Sequence, residues 1–453
     1  MLEIPIKTRP IPYLLVLVIW TVACAPYAAN TPAIRNSLSA GDYTGAYDAV
    51  QRAARGPSKL LFFLETGLIA HYDGQYAHSN VLLDQAERIA DELFTRSLSR
   101  ELAAFVTSDE SRDYRGETYE LVFIHYYRAL NYWYLGLPEN ALVECRKANL
   151  RLERYTSHDE TEFTYKNDAF IHYLTALFYE SELEYNDAYV SLRDAEMAYR
   201  RYASHFRISA PAELDEDLAR VEAELGYAGP PALTALQSRS GNGDLVVFTE
   251  IGFISRKIQE EVDIPIYKSD LDRARKGSTR RISHQVRDRH RRGHHHASKV
   301  DYWMRIALPT FETPHQDHTP VRVLIGNESV TPSPAQNLDT IARATLEDRS
   351  GNIFARTVAR ALVKLAATKG AEKKSEWLGF LVNMFTAATE KADTRSWVTL
   401  PREVRIGRIA LPPGEHEIRI QRLDRWGIVT DETVRTIRIE AGRRTFINHR
   451  QYS

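Results

Sequence analysis

Residues 117–151, ETYELVFIHYYRALNYWYLGLPENALVECRKANLR, carry the clearest structural pattern of this chain. Apolar and aromatic residues recur at helical spacing on both sides of Gly136 and Pro138, and glycine and proline interrupt a helical pattern. Small side chains at Ala129 and Ala141 allow two antiparallel helices to approach closely. The stretch therefore predicts a helical hairpin, two helices joined by a tight turn.

The same spacing recurs through the N-terminal half of the chain. A glycine followed by small residues five and twelve positions later is typical of tetratricopeptide repeats. Gly136, Ala141 and Ala148 fit this pattern. Three further copies are Gly41 with Ala46 and Ala53, Gly74 with Ser79 and Ala86, and Leu183 with Ala188 and Ala195. Such hairpins bury their apolar faces by stacking on one another, so the pattern predicts an architecture rather than a reaction.

The periodicity changes to that of strands after a glycine- and proline-containing linker at 229–243. We therefore expect an α + β multidomain protein. A tetratricopeptide-like array at 31–228 precedes a mixed domain at 244–453, whose C-terminal part is β-sandwich-like. Within the mixed domain, helices are predicted at 338–347, 352–368 and 377–389.

The N-terminus has the charge order of a secretory signal at 1–23, followed by a tether at 24–30. Thr21-Val-Ala-Cys24 resembles the lipobox of bacterial lipoproteins, which implies cleavage before Cys24 and acylation of its sulfur. An uncleaved anchor or an ordinary signal peptide is the alternative interpretation. Ala25, by resemblance to enterobacterial sorting signals, favours the outer membrane.

Composition agrees with an exported body held by a lipid. The formal net charge of −1 gives no reason to expect a nucleic-acid partner. The chain has two cysteines. If Cys24 is acylated, Cys145 has no disulfide partner, and its place in the array predicts a small buried side chain rather than a nucleophile.

A basic insertion at 270–299 is the strongest local charge feature. Its functional interpretations are a metal site or a surface for anionic ligands, and the metal candidates are His290, His294, His295 and His296. A solvated insertion with weak, adventitious metal affinity is the preferred interpretation, because adjacent histidines in a polar run lack the spacing of a defined site.

Two small groups of residues are candidates for binding. Tyr127 and Tyr134 belong to a helix that has more aromatic side chains than one buried stripe can accommodate. One of the two is therefore expected to face a partner. Asp393, Arg395 and Trp397 form a motif that could bind a carboxylate or a sugar. The alternative is a local Asp–Arg pair beside a core tryptophan, which is the more common arrangement.

The segment ADTRSWVTLPREVRIGRIALPPGEHEI, residues 392–418, and the helical segments above resemble a family of Gram-negative outer-membrane lipoproteins that pair tetratricopeptide-like helices with a C-terminal mixed domain. The resemblance covers nearly the whole mature chain except the basic insertion. It implies an architecture and a location on the periplasmic face of the outer membrane. It implies no reaction.

These observations favour a non-enzymatic scaffold, with no cofactor, that binds other envelope proteins or lipoproteins. A glycan-binding module for peptidoglycan or an exported polysaccharide is the alternative. A hydrolase is the third hypothesis, although the chain carries none of the glycine-rich, nucleophile-elbow or spaced metal-ligand motifs that would support it.

Overall fold

The computed structural model describes residues 27–53, 58–100, 113–157, 164–227, 241–266, 302–313, 320–369 and 391–452. Helices form the N-terminal part: α1 (Tyr27–Ser39), α2 (Tyr43–Ala53), α3 (Lys59–Tyr72), α4 (Tyr76–Arg100), α5 (Thr118–Tyr134), α6 (Pro138–Ser157), α7 (Ala169–Ser181), α8 (Tyr185–His205) and α9 (Glu213–Glu224). Helices α1 to α8 pair as four consecutive hairpins. The predicted helical array followed by mixed sheets is therefore confirmed.

The turns of the four hairpins share one backbone conformation. Gly41, Gly74 and Gly136 have φ angles of 71°, 75° and 71°, a left-handed conformation that glycine adopts without steric cost. Leu183 occupies the equivalent turn with φ of 63°. The fourth repeat thus keeps the geometry without the glycine.

The small residues of the repeat lie where the paired helices meet. They are buried at both predicted positions of every copy: Ala46, Ala53, Ser79, Ala86, Ala141, Ala148, Ala188 and Ala195. Close packing of two helices requires small side chains at the contact. The spacing seen in the sequence thus reports the helix–helix contacts of the array.

The C-terminal part is built from strands: β1 (Gly243–Ile251), β2 (Lys257–Ile266), β3 (Tyr302–Phe311), β4 (Val321–Ile325), β5 (Glu328–Val330), β6 (Ser333–Asn337), β7 (Glu403–Leu411), β8 (Gly414–Leu423), β9 (Val429–Ile439) and β10 (Arg444–Gln451). Among the described residues they form one sheet in the order β10-β1-β7-β6, another in the order β5-β4-β8-β9, and the pair β2-β3. Strand β1 pairs with β10 in parallel and with β7 in antiparallel orientation.

The first sheet is covered on both faces. Leu245 and Val247 point into a core shared with β4, β8 and β9 of the second sheet. Val246 and Phe248, which point the other way, belong to the same core as the helical array. Since successive side chains of a strand alternate between faces, β1 has to be apolar at every one of these positions. Helices, first sheet and second sheet therefore form three layers.

One long helix, α10 (Leu338–Lys369), replaces the two helices predicted at 338–347 and 352–368. The prediction of a break was wrong, because a single interior Gly351 costs a helix only about 1 kcal/mol and packing can offset that. Phe354 and Val358 of α10 pack on Ile264, Met304 and Ile306 of the β2-β3 pair. This small core is separate from the two cores on either side of the first sheet.

The predicted N-terminal signal, Cys24, the basic insertion with its four histidines and the helix at 377–389 lie outside the described residues. Helix α1 begins at Tyr27, so it includes the last four residues of the predicted tether. In the part of the chain that the structure describes, no helix has the length and hydropathy needed to cross a membrane. Helices give way to strands between α9 and β1, where the linker was predicted.

Candidate functional site

The inner side of the helical array is lined by α3, α5 and α7, which are buried along almost their whole circumference. In α5 every residue from Tyr119 to Asn131 is buried, and α7 is buried from Ala169 to Glu180 except at His172. The outer helices α4, α6 and α8 bury one face and expose the other. The inner side is the groove in which a tetratricopeptide-like array would hold an extended ligand.

That groove holds a part of the same chain. The residues from Ala392 to Arg402, here called the inserted segment, contain no regular secondary structure and precede β7. The amide of Trp397 donates to Glu120 Oε1 at 2.7 Å, and the amide of Val398 donates to Glu65 Oε1 at 2.9 Å. The inserted segment thus occupies the position of an extended peptide ligand.

Both carboxyls that hold the inserted segment are fully buried on inner helices. The hydroxyls of Tyr27 and Thr399 also donate to Glu65, and the hydroxyl of Tyr114 donates to Glu120. Burial is the main cause that raises the pKa of each carboxyl to about 7. Removing a carboxylate from water destabilises its charged form more than these hydrogen bonds stabilise it.

A third buried carboxyl joins the array to the first sheet. Glu250 of β1 accepts hydrogen bonds from the hydroxyls of Tyr72 at 2.5 Å, Tyr126 at 3.0 Å and Tyr127 at 3.4 Å. Burial raises the pKa of Glu250, and the charge of nearby Arg450 opposes this effect. The tyrosines of the inner helices therefore bind the sheet of their own chain.

The expectation that Tyr127 or Tyr134 is exposed to a partner was wrong for Tyr127, and for Tyr134 it stays a prediction. Tyr127 is 0% exposed. Tyr134 is half-buried and donates to Asn448 of β10 at 3.0 Å. Helix α5 has more aromatic side chains than one stripe could bury. Most of them are buried nevertheless, because the first sheet covers the second side of α5.

Asp393, Arg395 and Trp397 form the arrangement that the alternative interpretation expected, a local Asp–Arg pair beside a core tryptophan. Arg395 and Asp393 form a bidentate ion pair, with both nitrogen–oxygen distances at 2.8 Å. The ring of Trp397 is 0% exposed and lies 6.2 Å from that of Tyr127. This group positions the inserted segment and presents no open ligand site.

An ionic cluster fastens the other end of the array to the first sheet. Asp217 of α9, which is 0% exposed, pairs with Arg220 of its own helix, Arg408 of β7 and Arg444 of β10. The hydroxyl of Tyr173 on α7 also donates to Asp217 at 2.6 Å. Glu180 and Asp244 complete the cluster by pairing with the same arginines. Three carboxylates therefore balance three guanidiniums.

Among the described residues, one group has the donor types and spacing of a metal site: Glu87, His125 and Glu144, from α4, α5 and α6. His125 Nδ1 lies 2.8 Å from Glu144 Oε2. Arg128, however, pairs with both carboxylates, and Lys147 lies 3.1 Å from Glu144. These side chains already supply the positive charge that the two carboxylates require, so the group is an ion-pair network linking three helices.

Cys145 has a packing environment, as the sequence indicated, and His172 has one as well. His172 is partly buried, and its Nδ1 lies 4.0 Å from Asp194. Cys145 is buried with a free thiol, and burial raises its pKa to about 12. A thiol in that state is not a nucleophile at neutral pH.

A cavity of about 880 Å³ lies between α3 and α4. Its apolar lining comes from Leu60, Phe62, Phe63, Ile89 and Leu93, and polar groups stand around them.

The exposed faces of the outer helices carry apolar residues at equivalent repeat positions. Val81, Val143 and Val190 each lie seven residues after the left-handed turn of their hairpin, and Leu150 and Met197 lie seven residues further on. We call these five residues the outer stripe. Their exposed fractions range from 39% to 65%. Apolar residues recurring on one surface of neighbouring repeats are typical of a protein-binding surface.

The buried carboxyls and the outer stripe were not predicted from the sequence. Glu65 stands alone in the apolar run LLFFLETGLIA, and Glu250 stands in LVVFTEIGF. A single acidic residue within an apolar run is the sequence signal for such a carboxyl, because a buried carboxyl needs hydrogen-bond or charge partners from elsewhere in the fold. The outer stripe was visible as valines at one repeat position.

No protein-family model matches the chain. No curated protein matches it either. A comparison with solved structures finds similarity to the crystal structure of MamA protein, with 11% sequence identity and a TM-score of 0.28, covering 47% of this chain and 86% of that chain.

Proposed function

We propose that this protein is a non-catalytic scaffold that binds other proteins through the outer surface of its helical array. The observation that supports this proposal is that one side of the array is filled by the chain itself while the other side is exposed. The inserted segment and the first sheet fill the groove, whereas the outer stripe is exposed on α4, α6 and α8. Stacked helical hairpins characteristically serve protein recognition, and here the outer side is the one left for it.

The chemistry of the outer stripe favours an apolar face of another protein. Its five side chains are aliphatic or thioether groups, which bind by excluding water. Charged residues flank them, among them Arg193 and Arg200, which pair with Glu196. An apolar centre with a polar rim is the usual anatomy of a protein interface.

A photo-crosslinking amino acid placed at Leu150 or Met197 tests this surface in intact cells. We expect a discrete crosslinked protein at these positions. We expect none at Glu415, an exposed position on the β8–β9 hairpin. The combined Val143→Ser and Val190→Ser changes should abolish the crosslink at Leu150 while the circular dichroism spectrum stays unchanged. Crosslinks of equal yield at Glu415, or crosslinks unaffected by the two serines, would refute the proposal.

We further propose that the scaffold is a lipid-anchored protein on the periplasmic face of the outer membrane of a Gram-negative bacterium. The support is the junction of Ala23 and Cys24 after a short apolar run, together with the resemblance to envelope lipoproteins. Acyl chains contribute roughly 0.8 kcal/mol per buried methylene, so several chains hold a body firmly at the bilayer. Mass spectrometry should find a diacyl or triacyl Cys24 at the mature N-terminus. Cys24→Ser should move the protein to the soluble fraction, and an unmodified Cys24 would contradict the anchor.

Glycan binding is the second candidate, and one exposed aromatic residue favours it. Trp426, in the turn between β8 and β9, is 70% exposed, and the guanidinium of Arg425 lies 3.9 Å from its ring centroid. A flat exposed ring can stack on a sugar. Sedimentation with purified peptidoglycan should then depend on Trp426, and Trp426→Ala should remove it. Equal sedimentation of wild type and variant would exclude this surface.

A further inference from the structure

Two neighbouring amides of the inserted segment are held by carboxyls from two different inner helices. Trp397 binds Glu120 of α5 and Val398 binds Glu65 of α3, and the hydroxyl of Thr399 donates to Glu65 as well. Each carboxyl is 0% exposed. The segment and its two carboxyls therefore form a closed contact inside the groove.

Neither carboxyl makes an ion pair within the described part of the chain; each is satisfied by hydroxyl and amide donors. Tyr27 and Arg35 of α1 face Glu65, and the hydroxyl of Tyr27 donates to it while Arg35 acts at longer range. Glu120 faces Tyr114 and, from its own helix start, Glu117, whose charge raises the pKa of Glu120. Lys257 of β2 lowers that pKa.

We propose that docking of the inserted segment is coupled to proton uptake by Glu65 and Glu120, so that the groove holds the segment more tightly in acid and loosens it as the pH rises toward neutral. The direction follows from burial. When the segment leaves, water reaches both carboxyls and their charged forms are stabilised. When the segment docks, the water is excluded and the protonated forms are favoured.

The direction of the pH dependence follows from the pKa of each carboxyl in the docked and in the released state. A carboxyl with a pKa of about 7 when docked and an ordinary value of 4.5 when released binds more protons in the docked state between these values. Docking is therefore strongest below pH 4.5 and weakens as the pH rises to 7. From pH 5.5 to pH 7.5 the equilibrium shifts toward release by about twentyfold for each carboxyl.

Hydrogen–deuterium exchange of peptides covering 396–400, measured at pH 5.5 and pH 7.5, tests the coupling. After correction for the intrinsic exchange rates, protection in the wild type should fall at least twentyfold over this interval. Glu65→Gln is the diagnostic variant. Its carboxamide oxygen can accept from Val398 and Tyr27, and its nitrogen can donate to Thr399, so the contact persists without a titrating group.

We expect Glu65→Gln to reduce the fall in protection by about twentyfold relative to wild type. Glu139→Gln, at an exposed position of α6, should behave like the wild type. Protection that is independent of pH in the wild type would overturn the inference. So would an undiminished fall in Glu65→Gln, or an equal fall in peptides from α6, since the last result would mean loss of the whole fold.

Discussion

Asp217→Asn is expected to destabilise the protein far more than its conservative chemistry suggests. Asp217 is 0% exposed and lies among three arginines, two of them contributed by the first sheet. The change removes one negative charge from a cluster that is neutral in the wild type. It also replaces Oδ2, which accepts from the Tyr173 hydroxyl, by an NH₂ donor, and it leaves only an uncharged oxygen to accept from the three guanidiniums that bind Oδ1.

The size of the effect follows from burial. The side chains of Arg408 and Arg444 are 5% and 6% exposed, so water cannot solvate the positive charge that Asp217 leaves behind. Removing one partner from a buried ion pair costs about 3–5 kcal/mol. Tyr173 also loses the charged acceptor of its hydroxyl. We therefore expect the free energy of unfolding to fall by about 4 kcal/mol.

The pH dependence of this loss is a second signature. Burial alone would raise the pKa of Asp217, but Arg408, Arg220 and Arg444 together hold it well below its usual range. A group with a depressed pKa stabilises the fold above its unfolded-state pKa, and this contribution disappears as the pH falls through the folded-state pKa. The difference between wild type and variant should thus be full at neutral pH and shrink below about pH 4.

Urea unfolding followed by tryptophan fluorescence at pH 7 measures the effect. Asp263→Asn is the matched control, because Asp263 pairs with Arg305 at 2.8 Å on an exposed strand pair. Screening by water makes such pairs weak, so the control should leave the midpoint nearly unchanged. If Asp217→Asn shifted the midpoint no more than the control does, the reasoning from burial would be refuted.

Other changes should test the hairpin turn and the buried side chains. Leu183→Gly should raise the free energy of unfolding by about 1 kcal/mol, because a left-handed backbone is costly for leucine, whereas Gly136→Ala should lower the melting temperature; the opposite order would contradict the shared turn geometry. Trp397→Ala should destabilise by about 3–5 kcal/mol through the cavity it leaves, as measured by urea unfolding, and a loss below about 1 kcal/mol would show that its ring is not core. In a Cys24→Ser background, the thiol of Cys145 should not react with a disulfide reagent at pH 8 until urea unfolds the protein, because burial raises its pKa to about 12; rapid labelling of the native protein would contradict this.

The helical hairpins of the array and the change to strands after it follow from local patterns in the sequence. The left-handed turns at Gly41, Gly74 and Gly136, and the small residues after them, depend on neighbours within a few positions, so their spacing carried the information. The change to strand periodicity after the linker was equally local, and Asp393 with Arg395 was expected as a local pair. Interactions of this kind are readable because the residues that make them are close in the chain.

Which surface of the array is free depends on contacts between segments that are far apart in the chain. Glu120 and Trp397 are 277 positions apart, and Glu65 and Val398 are 333 apart. Nothing near Tyr127 in the chain indicated that a distant segment and sheet would cover it, so an aromatic helix was interpreted as a partner surface. The burial of a side chain depends on every segment that packs against it, including segments that are remote in the sequence. A side chain that is covered by a remote part of its own chain has the same local sequence pattern as one that waits for a partner.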